Sequence, residues 1–413
     1  MRTPASIRAR FPGVSGTSTA LLDHAGSSPI PGCVIDAAAA YMRRCFVQVG
    51  ADYDLSRQAT ATVKAAHELV ARFLNAGPDH TVVLGPSTTA LAHILANAVA
   101  DAFAKGDLPR DRDEIVVCSA GHEANVWPWA RLAERGFTIR WWHATPHPER
   151  TLTLDAATLR GLVGPRTCLV AFPQVSNILG DVWNAKELCR VAREAGARSV
   201  VDGVAYAPHR LPDVADIGCD WYLYSTYKVY GPHMAAMAGR LEAFKPLTGP
   251  NHPFIAREDL PYKFELGGVC REGSAMIAAG YEHFAWLADA SSEPPFDRSV
   301  LARAFEVIEA VELPLQRRLL EGLGGLRGVR LIGPWASDAS RVCTVSFVID
   351  GRSSKETVQR LNAMGLGCRY GHFYSRRLVE QVGLDPSDGV VRISLSHTND
   401  QTEIDRAVEA LKG

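Results

Sequence analysis

Ser225-Thr226-Tyr227-Lys228-Val229-Tyr230-Gly231-Pro232-His233 closes the apolar run at residues 221–224. A lysine in that place is held by a strand end on one side and a Gly-Pro turn on the other, with hydroxyls next to it. Two readings are open. It is a snorkelling surface residue, or it is an amine kept for chemistry. Most lysines are solvated, so the first reading leads until the rest of the chain is considered.

Working outward, apolar β-type runs occur at residues 81–84, 114–119, 137–142, 167–172, 199–201, 221–224 and 235–238. Helical patterns lie between most of them, at 88–105, 123–135, 155–162 and 185–196, and two more precede them at 33–48 and 57–76. Strands that are apolar throughout and alternate with helices predict an α/β fold, with a mostly parallel seven-stranded sheet covered on both faces. Ligands of such sheets bind outside the carboxyl ends of the strands. Ser291-Ser292-Glu293-Pro294-Pro295 reads as a linker, followed by a long helical stretch at 297–322. Strands near 341–349 and 390–395 and helices at 353–364 and 400–412 then predict a small α+β unit. The expected organisation is an arm at 1–20 packing with the small domain, a large domain at 21–293, and the small C-terminal domain at 294–413.

The residues after each strand carry the functional reading. Gly85-Pro86-Ser87-Thr88-Thr89 opens a helix, and small hydroxylated residues at a helix N-terminus can cradle a phosphate. Plain N-capping explains the same residues. His122, in Ser119-Ala120-Gly121-His122-Glu123, is a flat partner for an aromatic ligand or a capping histidine. A zinc helix of the HExxH type is excluded by Val126. Asn177 follows the next strand, with ordinary loop chemistry as the alternative. Asp202 ends a very apolar strand, where an unpaired carboxylate is costly, so it needs a cation unless it caps the following turn.

Lys228 comes next in this series. A phosphate cradle, a stackable ring, a buried carboxylate and a positioned amine, each at the end of a parallel strand, meet the needs of one ligand, pyridoxal 5'-phosphate. Its aldehyde condenses with an amine, its phosphate suits a helix N-terminus, and an anion at its ring nitrogen keeps it an electron sink.

Composition sets outer bounds. The chain has 413 residues, 47% apolar and 22% charged, with a formal net charge of -1. That is an ordinary globular balance and gives no footprint for nucleic acid. Nine cysteines, an odd number without a CxxC pair, read as reduced thiols in a cytoplasmic protein. No secretory signal or membrane-spanning run is evident, so no membrane partner is expected, and no metal is expected either.

Val201-Asp202-Gly203, Ala207-Pro208-His209, Ser225-Thr226-Tyr227-Lys228 and Gly231-Pro232-His233 together resemble the class V aminotransferase and cysteine desulfurase family of fold-type-I pyridoxal-phosphate enzymes, in its desulfurase-like branch. The resemblance implies that Lys228 is the Schiff-base lysine, that Asp202 pairs with the ring nitrogen and that His122 stacks on the ring. It implies phosphate binding by Ser87, Thr88, Thr89, Ser225 and Tyr227. Asn177 would lie near the ring oxygen or substrate. On the substrate side it implies Arg392; His24, Arg271 and His372 are further candidates for substrate binding. A homodimer acting on a small-molecule amino acid substrate is expected.

The chain also departs from the pattern. Tyr374 stands where desulfurases carry a mobile-loop cysteine, and Cys368 lies on the wrong side of Arg369. Ala205 and Gly268 replace a glutamine and a threonine of the family, and Arg271 is expected to face a second acidic group on the substrate. The expected reaction is lyase chemistry, C–S or C–C cleavage or formation at the β carbon in a specialised biosynthetic pathway. Transamination, epimerisation and a non-catalytic cofactor-binding role are the alternatives.

Overall fold

The computed structural model describes residues 2–412. Its centre is a seven-stranded sheet made of β1 (His80–Gly85), β2 (Glu114–Cys118), β3 (Thr138–Trp142), β4 (Thr167–Pro173), β5 (Arg198–Asp202), β6 (Trp221–Ser225) and β7 (Ala235–Arg240). The spatial order is β1-β7-β6-β5-β4-β2-β3. Neighbours from β3 through to β6 are parallel. β7 is antiparallel to both β6 and β1. Two reversals restore direction, so β1 runs the same way as β6. The carboxyl ends of β1, β2, β4, β5 and β6 therefore all open on one side.

The central strands of this sheet are buried on both faces, as their apolar content demands, while the edge strand β3 (Thr-Ile-Arg-Trp-Trp) is only partly covered. Two core clusters form, one on each side. Residues 123–135, read from the sequence as one helix, are instead three short pieces: a 3₁₀ turn at Glu123–Asn125, a helix at Trp127–Ala130 and a second 3₁₀ turn at Arg131–Arg135. Pro128 supplies no backbone N–H, which removes a ladder bond there.

A second, four-stranded sheet is formed by β8 (Val329–Ile332), β9 (Thr344–Ile349), β10 (Arg369–Gly371) and β11 (Val390–Ser394), in the order β8-β9-β11-β10, all antiparallel. The 27-residue helix Arg298–Gly324 leads into it. The N-terminal segment is tied to this part of the chain. Arg8 donates to the Thr398 carbonyl at 2.8 Å and to Glu403 at 2.9 Å, and the short Ala20–Leu21 strand pairs with Leu366–Gly367. Among the described residues no helix is long and apolar enough to cross a membrane, and no group of three His, Cys, Asp or Glu side chains could hold a metal.

Candidate active site

The strand ends converge on a cleft of about 520 Å³ lined by Ser87, Thr88, Thr89, His122, Asn177, Asp202, Ser225, Tyr227 and Lys228, among others. Each arrives by its own local device. Ser87 is the N-cap of the 18-residue helix Thr88–Lys105, and its hydroxyl accepts from the Ala90 amide at 3.1 Å. The Thr88 and Thr89 amides before it have no intrahelical partner, so the N-terminus presents unpaired donors to the cleft. Across the cleft, the Thr88 and Ser225 hydroxyls lie 2.8 Å apart and share a hydrogen bond.

The lysine turn is a 3₁₀ turn at Thr226–Lys228. It is stapled from far away in sequence. The Ser28 hydroxyl donates to the Tyr227 carbonyl at 2.7 Å and accepts from the Tyr230 amide at 2.8 Å. Thr226 closes the turn by donating to the Pro232 carbonyl at 2.7 Å. Burial pushes the Lys228 amine down to about 8, and the Arg392 guanidinium adds to that; Asp202 and Asp23 act against it.

Asp202 is 5% exposed at the end of β5. Burial raises its carboxyl pKa, opposed by the Val204 amide, which donates to Oδ1 at 2.9 Å, and by Lys228. Among the described residues Oδ2 has no hydrogen-bond partner. Gly203 behind it is required by contact, since a Cβ there would meet the Tyr222 ring at 2.0 Å.

His122 is a neutral ring. Its Nδ1 accepts from the Ala124 amide at 3.0 Å, and burial, then Lys228 and Arg392, push it down to about 3. A neutral ring beside an amine can lie flat on an aromatic ligand without adding charge.

The loop at 372–375 packs beside the cleft, against its lining residues Asn177 and His122. Phe373 and Tyr374 both have left-handed backbone, at φ 46° and 58°. That strain is held by specific bonds. Asn177 Nδ2 donates to the Phe373 carbonyl at 2.9 Å, Ser375 donates to Asn177 Oδ1 at 2.8 Å, and the Glu123 amide donates to the Tyr374 carbonyl at 2.8 Å. Arg392 is 3% exposed. It donates to the Asn177 carbonyl at 3.2 Å and to Asp23 at 2.9 Å, and its Nε is buried without a partner.

Arg392 and the remaining expected site residues lie outside the cleft lining. Arg271 turns away, donating to the Val47 carbonyl at 3.1 Å and to Gln48, so its fork is already occupied. His24 is buried with its Nε2 unpartnered, and burial, with His209 nearby, pushes it down to about 4. His372 caps its own loop, its Nδ1 accepting from the Tyr374 amide at 3.1 Å. Asp23 and Phe373 were not singled out from the sequence, yet both touch Arg392. Asp23 sits in a turn whose only visible signal is its small residues.

The class-V aminotransferase family model matches residues 20–407. This chain is a member of that family. The match spans both sheets and the whole cleft. Curated relatives agree in length. The aminotransferase-like protein FGM3 of Gibberella zeae is 36% identical over 415 residues, covering 98% of this chain and 97% of that protein. A cysteine desulfurase of Pectobacterium carotovorum is 30% identical over 424 residues, covering 98% and 96%. Among solved structures, the cysteine desulfurase CsdA of Escherichia coli superposes with a TM-score of 0.81 at 25% identity, covering 100% of this chain and 98% of that one.

The class-V chain described here is thus a pyridoxal-phosphate-dependent enzyme of fold type I. Its residues fit the cofactor: an amine in the cleft, a buried carboxylate with one oxygen unpartnered, and a hydroxyl-lined helix N-terminus. The class-V desulfurase pattern breaks at the loop. Tyr374 is 63% exposed, with its ring 5.2 Å from that of His122. Cys368 is buried, which pushes its thiol up to about 12. No cysteine lines the cleft among the described residues.

Proposed function

We propose that this enzyme is a lyase acting at the β carbon of an α-amino acid, releasing its leaving group to solvent rather than to a protein thiol. The observation that carries this reading is Tyr374 facing His122, at the loop position where the family resemblance puts a sulfur-accepting cysteine. Lys228 would hold the aldehyde carbon of the cofactor, Asp202 the ring nitrogen, and Ser87, Thr88, Thr89, Ser225 and Tyr227 the phosphate, with His122 against the ring and Asn177 at its edge. Bound there, pyridoxal phosphate supplies a sink for the electron pair that bond cleavage leaves behind.

The chain's own groups do the rest. Arg392 grips the substrate α-carboxylate through its free Nε edge. The Lys228 amine would take the proton from the α carbon. A low amine pKa suits that task, because a neutral amine is the base. The bond from the β carbon to sulfur then breaks with its electron pair leaving on sulfur, and water completes the conversion to a keto acid and ammonium. The test is a panel of S-substituted cysteines with the cofactor-loaded protein. The expected products are pyruvate, ammonium and free thiol in equal amounts. A keto acid retaining the whole side chain, or an inverted amino acid, would instead assign transamination or epimerisation.

We also infer a homodimer. Met42, Phe46, Phe254 and Leu266 expose large apolar surfaces, on segments joined by the Arg271 bond to Val47 and the Lys263 bond to Ile255. A second copy of this chain is the expected cover. Light scattering should give twice the chain mass, and Phe46→Glu should halve it.

A further inference from the structure

Two arginines stand directly opposite each other at the rim of the cleft. Arg369 on β10 and Arg392 on β11 are Cα partners in the antiparallel ladder. Such partners point to the same face with Cβ atoms about 5 Å apart, and like charges in that position are destabilising. A single carboxylate answers both. Asp23 Oδ1 lies 2.9 Å from Arg392 Nη2, and Asp23 Oδ2 lies 3.7 Å from Arg369 Nη1. Both guanidiniums also sit over the Phe373 ring, at 3.7 Å for Arg392 and 5.7 Å for Arg369. This cluster of two cations and one anion keeps one positive charge in excess.

The two arginines differ in freedom. Arg392 is buried and bonded to Asn177 and Asp23. The Arg369 side chain is 59% exposed, and among the described residues its guanidinium makes no hydrogen bond. It projects from an edge strand next to the left-handed Phe373–Tyr374 loop that packs beside the cleft. The fork that the sequence assigned to Arg271 is hydrogen-bonded elsewhere, whereas this one makes only the 3.7 Å ion pair with Asp23.

We propose that Arg369 anchors a second anionic subsite, so that the preferred substrate is a short α-amino acid whose side chain ends in a carboxylate or a similar acidic oxyanion. The proposal rests on the reading above that Arg392 takes the α-carboxylate. Cross-strand neighbours set the two guanidiniums a few ångströms apart, which fits two carboxylates separated by two or three carbons. An anion bound between them relieves the like-charge contact that Asp23 alone relieves only in part.

The test reads binding without turnover. Calorimetric titration of the cofactor-loaded enzyme with succinate and with its monoamide, succinamate, compares a dianion and a monoanion of the same shape. Neither carries an amine, so a failure of the lyase chemistry leaves this measurement intact. Succinate is expected to bind at least about tenfold more tightly than succinamate, the order expected of one charge-assisted pair. Arg369→Gln should erase that preference while leaving succinamate binding unchanged, and Arg369→Lys should restore part of it. Equal affinities in the unaltered enzyme, absence of binding by either compound, or a preference that survives in Arg369→Gln would each overturn the subsite. Equal weakening of both ligands in Arg369→Gln would overturn it too, by reducing Arg369 to a support for Arg392.

Discussion

Lys228 and Arg392 act on each other without touching. After burial, Arg392 is the largest cause that keeps the amine near 8. Only the neutral amine attacks a carbonyl, so cofactor capture by the cofactor-free enzyme should accelerate as pH rises through about 8 and then level off. In Arg392→Leu the same profile should move to higher pH, because a cation that disfavours the charged amine has gone. Capture followed by visible absorbance against pH measures both. Lys228→Ala should abolish covalent retention: after borohydride reduction, mass spectrometry should find the cofactor on the Lys228 peptide of the unaltered chain and on no peptide of the variant. The arginine pairing with Asp23 was not legible in the sequence. Residues 23, 369 and 392 meet through the Leu22–Ser394, Leu22–Gly367 and β10–β11 pairings, and no local pattern announces a cross-strand register.

At the scale of elements, the strand-to-turn junctions carry the site. β5 ends at Asp202 and passes through Gly203 against Tyr222, whose hydroxyl donates to Gln174 at 2.6 Å. Gly203→Ala drives a methyl into that ring, and urea unfolding should show a loss of about 3 kcal/mol, the upper range for overpacking. Cofactor should also be retained more weakly, since Asp202 moves with the backbone. These junctions were legible because continuous apolar runs mark parallel strands, and parallel strands bring their ends together. Among the elements not foreseen, three have a plain reason. The helix Arg271–Leu287 contains Gly273 and Gly280 among small residues, which blurs its apolar face. β8 and β10 are four and three residues long, too short to show alternation.

Across the whole molecule, buried histidines tie stability to pH. His24, His122 and His283 are held neutral chiefly by burial, at about 4, 3 and 3. His397, 3.3 Å from His283, is lowered as well. The unfolded chain takes up these protons below about 6.5, while the folded chain refuses them until pH 3–4. Stability is therefore lost as pH falls through that window, by about 1.4 kcal/mol per pH unit for each such ring. His67 runs the other way. Burial works against its charge, but Glu265, 2.7 Å away, carries its pKa up, so its contribution is present at low pH and lost as pH rises. Urea midpoints between pH 7 and pH 4 should fall steadily, and less steeply in His283→Phe.

The antiparallel β7 has a consequence for how the enzyme is made. β1 bonds to no strand of its sheet but β7. When a ribosome has delivered residues 1–228, every group assigned to the cofactor exists, yet the Thr88 and Ser225 sides of the phosphate cradle are not yet joined. Residues 235–240 must emerge and insert between them first. The loop and Arg392 that wall the substrate arrive last of all. A nascent chain thus gains its cofactor pocket before its substrate pocket.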